Sequence, residues 1–203
     1  MNLLVFADVH GDIGGIKKII SIAAKEKASA MVCAGDLTFF GSNLEQIAKK
    51  FQSNIPLVLI PGNHELPQDI KNLARKFKFI KDIHNSAFEI DSCTILGLGG
   101  SKITPFSTPF EMDDKKIAAL LEKFNKKGKF KKTVLVVHEP PFNTTLDIIE
   151  GAHRGSAAIR KFIEEHQPDY CICGHFHENA GKKDAIGRTI VINPGASGKI
   201  IKI

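Results

Sequence analysis

The residues able to do metal chemistry in this chain fall in five short blocks: Asp8-Val9-His10, Gly35-Asp36, Gly62-Asn63-His64-Glu65, the isolated His138, and Gly174-His175-Phe176-His177. With His64 set aside, they offer two carboxylates, four imidazoles and one amide oxygen. That is too many donors for one tetrahedral ion and fits two ions sharing a bridging carboxylate. Imidazole and carboxylate without thiolate favour manganese or iron, with zinc also accommodated, over magnesium or copper(I). Two divalent cations outweigh the negative charge of Asp8, Asp36 and a bridging hydroxide, so the site stays positive, as a phosphate ester requires. Each block alone is weak, because Asp-x-His and Gly-Asp are common in turns. Their joint occurrence, each just past an apolar run, carries the metal-site reading.

Those runs are residues 3–7, 30–34, 57–60, 133–137 and 169–173. Short apolar stretches bounded by turn residues read as strands buried on both faces. Between the first of them lie helical patterns. Asp12 is placed to cap a helix through about Lys25, with Ile13, Ile16, Ile20 and Ala24 on one stripe, and Asn43 to cap another through Phe51. This alternation predicts α/β layering with a largely parallel sheet. Residues 86–90, 93–98 and 189–192 are strand-like with short links, which predicts a second, partly antiparallel sheet, and a longer helix is expected over 113–127 with lysines on its wet face. In open α/β sheets the carboxyl ends of the strands converge on one crevice, so blocks distant in sequence can meet there.

Composition narrows the class. The 203 residues are 43% hydrophobic and 25% charged, an ordinary balance for one domain spanning residues 1–203. No apolar run approaches the roughly 18 residues of a membrane-spanning helix, and the opening segment meets Asp8 too early for a signal peptide. Cys33, Cys93, Cys171 and Cys173 form no CxxC pair, so reduced structural thiols and a cytoplasmic location are expected. Cys171 and Cys173 flank Ile172, one expected to face the core and the other a sheet interface. The net charge of +6 suits an anionic ligand, but the lysines are scattered, and one Tyr with no Trp does not favour a nucleic-acid partner. Residues 126–132 read as a solvated lysine-rich turn, His84 and His166 as surface residues, and residues 102–109 as a pocket rim.

The five blocks resemble those of the calcineurin-like metallophosphoesterases: D-x-H, G-D, G-N-H-[ED], H and G-H-x-H, here spanning Asp8 to His177. The resemblance implies a four-layer α/β/β/α sandwich with two divalent ions in the crevice at the strand ends. It places Asp8, His10, Asp36 and His177 on one ion and Asp36 as the bridge, Asn63, His138 and His175 on the other. His64 is implied to lie near the leaving group. The chain reads Gly35-Asp36-Leu37-Thr38-Phe39-Phe40-Gly41 where protein serine/threonine phosphatases have G-D-x-x-D-R-G, which counts against that branch. The retromer-related phosphodiesterases usually carry Cys where this chain has His64, and a DNA-repair nuclease would be longer. His138-Glu139-Pro140-Pro141, the stretch 151–156 and Asn193-Pro194-Gly195 look most like small phosphoesterases near the cyclic-AMP phosphodiesterases and their animal brain relatives.

The implied reaction is hydrolysis of a phosphodiester, a cyclic nucleotide or similar small ester, by in-line attack of a hydroxide bridging the two ions. His64 donates a proton to the departing oxygen or stabilises it, and Glu65 is a candidate to orient His64. His153, Arg154 and Ser156 form a candidate substrate-binding group. Gly155-Ser156 looks like the entrance to a helix through about His166, whose N-terminus attracts phosphate, the alternative being an ordinary N-cap on a surface loop. A nuclease on short single strands and a non-catalytic metal-binding scaffold are the competing readings.

Overall fold

The computed structural model describes the backbone of residues 1–127 and 132–203, and the side chains of residues 1–124 and 132–203. In chain order it contains β1 (Asn2–Phe6), α1 (Ile13–Lys25), β2 (Ala30–Cys33), α2 (Leu44–Lys50), β3 (Leu57–Leu59), α3 (Pro67–Lys76), β4 (Ile80–Asp82), β5 (Ser86–Ile90) and β6 (Cys93–Leu98). The short β7 (Ser101–Lys102) and β8 (Glu111–Met112) form a ribbon, followed by α4 (Asp114–Leu121) and β9 (Lys132–Val137). A second ribbon, β10 (Ile148–Ile149) and β11 (Ala152–His153), precedes α5 (Ala157–His166), β12 (Tyr170–Ile172), β13 (Lys183–Ile186), β14 (Thr189–Ile192) and β15 (Lys199–Lys202).

Two large sheets carry the fold. The first has the order β15-β1-β2-β3-β4, parallel from β1 to β4 with β15 antiparallel on the edge. The second has the order β13-β14-β12-β9-β6-β5, parallel from β14 to β6 with antiparallel edges. Alternation along each strand shows why the apolar runs are continuous. On β1, Leu4 and Phe6 pack among helices α1 to α3, while Leu3 and Val5 face the second sheet. On β9, Val134 and Val136 face the first sheet, while Leu135 and Val137 pack under α4 and α5. The result is three apolar seams between four layers, α/β/β/α, with helices on both outer faces.

Several local expectations are corrected. Asp12 does cap α1, accepting the Gly14 N–H, but the buried stripe is Ile16, Ile19 and Ala23, and Ile13 is 39% exposed. Asn43 precedes α2 but has left-handed backbone (φ +54°), which turns its side chain away from the helix N–H groups, and it makes no side-chain cap bond. The single helix expected over 113–127 is α4 followed by a 3₁₀ segment, Glu122–Lys127. A repeat of three keeps Leu121 and Phe124 in line, and Phe124 meets the Phe162 ring at 6.3 Å. Cys171 and Cys173 both face the α4/α5 seam, with Ile172 opposite, since residues two apart on a strand share a face. All four thiols are free and buried, and burial raises their pKa values, so none is poised as a thiolate. Of the lysine-rich turn expected over 126–132, Lys126 and Lys127 close the 3₁₀ segment and Lys132 opens β9, while residues 128–131 lie outside the described residues. Among the described residues no helix is long and apolar enough to cross a membrane.

His84 is not a surface residue. It is half-buried beside the Phe110 ring, and its Nδ1 accepts the Gly99 N–H at 3.1 Å. Burial, helped by the charges of Lys116 and Lys123, pushes its pKa down to about 4. The ordinary value of about 6.5 applies in the unfolded chain, which therefore takes up a proton first as pH falls. Stability is lost from about pH 6.5 down to about pH 4, and the loss from this group amounts to about 2 kcal/mol by pH 5. His84→Asn keeps an acceptor near Nδ1 but does not titrate. Urea unfolding at pH 7 and pH 5 should therefore show the wild type losing about 2 kcal/mol more than the variant. Parallel losses would remove His84 from the acid response.

Candidate metal centre

Each strand that ends at the crevice delivers a polar block there, and the two sheets contribute opposite halves. β1, β2 and β3 lead to Asp8, Asp36 and Asn63-His64, while β9 and β12 lead to His138 and His175-Phe176-His177. Backbone bonds stitch the loops together within each half: Asp8 N–H to Gly35 O at 3.1 Å, His10 N–H to Asp36 O at 3.1 Å, and Gly174 N–H to His138 O at 3.0 Å. Between halves, the His175 N–H donates to Asp8 Oδ1 at 3.1 Å. Asp8, His10, Asp36 and His175 all have left-handed backbone, at φ +58°, +46°, +51° and +71°. Non-glycine residues held there cost of order 1 kcal/mol or more each and gather where side chains must be aimed. Two glycines make room. Gly35 has φ +97° and sits against Gly62, and a Cβ on Gly62 would collide with the Asp36 carboxylate.

Asp36 is the hub. Its Oδ2 lies 3.4 Å from His138 Nε2, 3.7 Å from His10 Nε2 and 3.9 Å from His64 Nε2, and its Oδ1 accepts the His64 N–H at 3.1 Å. His138 Nδ1 donates to Ala34 O at 2.8 Å, which turns Nε2 toward Asn63 Oδ1, also at 2.8 Å. His10 Nε2 and His177 Nε2 are 3.0 Å apart, and His177 Nε2 is 3.9 Å from Asp8 Oδ1. Ligand atoms from Asp8, His10 and His177, from Asp8, Asp36 and His138, and from His10, Asp36 and His64 each lie within 4.8 Å of one another. The last group includes His64, which was not expected to be a ligand. His175 stands outside all three groups.

The electrostatics call for positive charge. Burial alone would raise the Asp36 pKa, but His138 beside it prevails and holds it well below the carboxylate range. Burial likewise opposes a charge on His138, yet the Asp36 carboxylate lifts its pKa to about 10. Burial raises the Asp8 pKa, against the pull of His138. Protonated His138 thus directs its Nε2–H at Asn63 Oδ1 and Asp36 Oδ2, where a cation can stand, so cation binding should release that proton. Burial lowers the pKa of His10 and His64 and, with His138, holds that of His175 at about 3, leaving neutral rings with a lone pair to give. Asp8 Oδ2, His10 Nδ1 and His64 Nδ1 are buried without a hydrogen-bond partner among the described residues. Oxygen and imidazole donors converging with unmet polar atoms fit divalent cations.

Glu65 does not orient His64. It is buried, and its carboxylate accepts from Thr38 N–H at 2.7 Å and Gly62 N–H at 2.9 Å, tying the loop after β2 to the loop after β3. Of the candidate substrate-binding group, only Arg154 lines the cleft over the candidate ligands, which encloses about 1070 Å³. His153 sits outside it, with Nδ1 2.7 Å from the buried carboxylate of Asp147. Ser156 is the N-cap of α5. It is fully buried, donates its hydroxyl proton to Asp114 and accepts the Ile159 N–H at 3.1 Å, so the capping alternative is the one observed. The cleft wall includes Phe39, Phe40, Ile103 and Phe106, all exposed, and Lys102 from the expected rim. Sequence reasoning named Glu139 and Asn193 only within motif stretches and gave neither a role, although Glu139 is buried on the cleft. Asn193 Nδ2 holds Phe176 O at 3.2 Å, and the neighbouring Gly195 O accepts from Ala7 N–H.

Paired sheets that gather carboxylates and imidazoles at their strand ends under an open cleft define a class: metal-dependent hydrolases of α/β type. Residues 1–179 match the family model described as calcineurin-like phosphoesterase. The chain is 34% identical over 201 residues to uncharacterized protein MJ1162 of Methanocaldococcus jannaschii, covering 96% of this chain and 88% of that one. Its fold is similar to that of TT1561 of Thermus thermophilus, with a TM-score of 0.78, 16% identity and coverage of 97% of this chain and 90% of that one. It is also similar to a dimetal phosphatase from Danio rerio, with a TM-score of 0.65, 12% identity and coverage of 95% and 86%. The chain belongs to the calcineurin-like phosphoesterase family.

Proposed function

We propose that the protein hydrolyses a small phosphodiester, a cyclic nucleotide or similar ester, with two divalent metal ions, manganese or iron ahead of zinc. The observation that carries this reading is the clustering of ligand atoms of Asp8, His10, Asp36, His138 and His177 beside a cleft that Asp36, Asn63, His175 and His177 line, with Asn63 Oδ1 2.8 Å from His138 Nε2. Asp8, His10, Asp36 and His177 would hold one ion, and Asp36, Asn63, His138 and His175 the other. Such a pair supplies an acidified water as nucleophile and positive charge for the phosphoryl oxygens. The chain's own residues do the rest. Arg154 offers a guanidinium at the cleft for an anionic ester. His64 is 13% exposed, stacks on Phe39 at 4.7 Å and meets Phe40 edge-on at 4.6 Å, which fixes its ring toward the cleft. Burial keeps its pKa low, so at neutral pH it offers the departing oxygen a hydrogen bond from a neutral ring.

The apolar wall favours a diester over a monoester. Phe39, Phe40, Ile103 and Phe106 are 49% to 78% exposed on the cleft, and a second ester substituent with a planar or apolar face would cover them. The test is hydrolysis of bis(p-nitrophenyl) phosphate against p-nitrophenyl phosphate by metal-stripped protein refilled with manganese, iron, zinc or magnesium. Manganese or iron should restore diester cleavage ahead of monoester cleavage. Monoester preference would overturn the substrate class, and inactivity with every metal would favour a binding scaffold.

A further inference from the structure

Glu139 follows His138 at the end of β9, and the metal-ligand pattern does not account for it. It is 1% exposed on the wall of the cleft. Its Oε2 accepts the Lys102 N–H at 2.9 Å and lies 3.7 Å from His175 Nε2, while Oε1 has no hydrogen-bond partner among the described residues. The Lys102 backbone is itself held, because its Nζ donates to Arg154 O at 3.0 Å and Gly155 O at 2.9 Å. Glu139 therefore sits on a fixed mount with spare acceptor capacity, and a buried carboxyl seldom leaves such capacity unused. His175 is the ring within reach. At 3.7 Å the contact is a close approach, longer than a hydrogen bond.

We infer that Glu139 is the positioning residue for His175: its carboxylate accepts a hydrogen bond from the Nε2–H, which selects that tautomer and leaves the Nδ1 lone pair to the metal centre. The inference rests on the metal-centre reading above. Ligating histidines almost always give their other N–H to a carboxylate or carbonyl, and His138 already does so through Nδ1 to Ala34 O. His175 needs such a partner more, because it is the one expected histidine ligand outside the close clusters and its backbone is left-handed. Through Lys102 the same carboxyl also fixes the rim of the cleft, coupling the substrate wall to the ligand it steadies.

Calorimetric titration of metal-free full-length protein with Mn²⁺ tests this directly. His175→Ala identifies the binding step that depends on His175. Glu139→Met, which keeps the bulk and removes the acceptors, should weaken that same step by about 10–100-fold and leave the other within about threefold. Glu139→Gln, which keeps one acceptor oxygen, should recover part of the loss, and adding Glu139→Met to His175→Ala should weaken binding no further. Wild-type affinity at that step in Glu139→Met, or equal weakening of both steps, would overturn the inference while leaving the metal centre in place. A wild-type protein showing no binding step would instead defeat the metal-centre reading and this inference with it.

Discussion

Asp36→Asn should lower kcat on a phosphodiester by on the order of 10³-fold or more, the largest effect of any single substitution in this chain. The estimate follows from geometry. The Asp36 carboxylate is 2% exposed and lies within 3.9 Å of three imidazoles, so it touches both halves of the site. Charge stabilisation of a phosphoryl transition state by bound cations is worth several kcal/mol, and about 4 kcal/mol corresponds to 10³ in rate. Asparagine keeps an oxygen able to accept the His64 N–H, so the loop after β3 should stay in place. The fold should survive, which circular dichroism and a melting curve would check. The pKa of His138 should fall from about 10 once its carboxylate partner is gone, visible by NMR titration of the metal-free variant. An Asp36→Asn enzyme within tenfold of wild type would mean that the bridge lies elsewhere.

The second large effect depends on the leaving group. His64→Ala should slow hydrolysis of an alkyl ester by about 10²–10³-fold, the usual worth of a fixed hydrogen-bond donor aimed at an oxygen that gains negative charge as it departs. A p-nitrophenolate leaves unaided, so with that ester the loss should be below about tenfold. The contrast separates help to the leaving oxygen from the other role open to His64, since its Nε2 also joins His10 and Asp36 in a ligand-sized cluster. If His64 held an ion, both esters would suffer alike and metal content would fall. Equal losses on the two substrates would therefore transfer His64 from leaving-group assistance to metal binding.

Much of this architecture was legible because burial on both faces turns a strand into an unbroken apolar run. Leu3 to Phe6 and Val134 to Val137 announce themselves that way, and the polar residue after each run marks where the chain enters the crevice. The periodic signal failed where packing overrides it. Ile13 belongs to the arithmetic stripe of α1 but is 39% exposed, and Asn43 has the side chain of a cap without the backbone for one. Nothing in the spacing said that β9 and β12 lie in the opposite sheet from β1 to β3, so that the two halves of the centre face each other across the inner seam. Nor could it show Asp8, His10, Asp36 and His175 in left-handed backbone, which only the surrounding structure can impose. Glu139 and Ser156 illustrate the two outcomes for a polar residue beside a motif. Glu139 proves buried against the cleft, whereas Ser156 is consumed by capping α5 and by Asp114.

Metal content decides the matter most directly. Metal-free protein incubated with excess Mn²⁺, freed of unbound ion by gel filtration and assayed by mass spectrometry should retain about two ions per chain, and Asp36→Asn about one or fewer. Wild-type protein that emerges with none, or an Asp36→Asn variant that retains as many ions as the wild type, would contradict a centre bridged by Asp36.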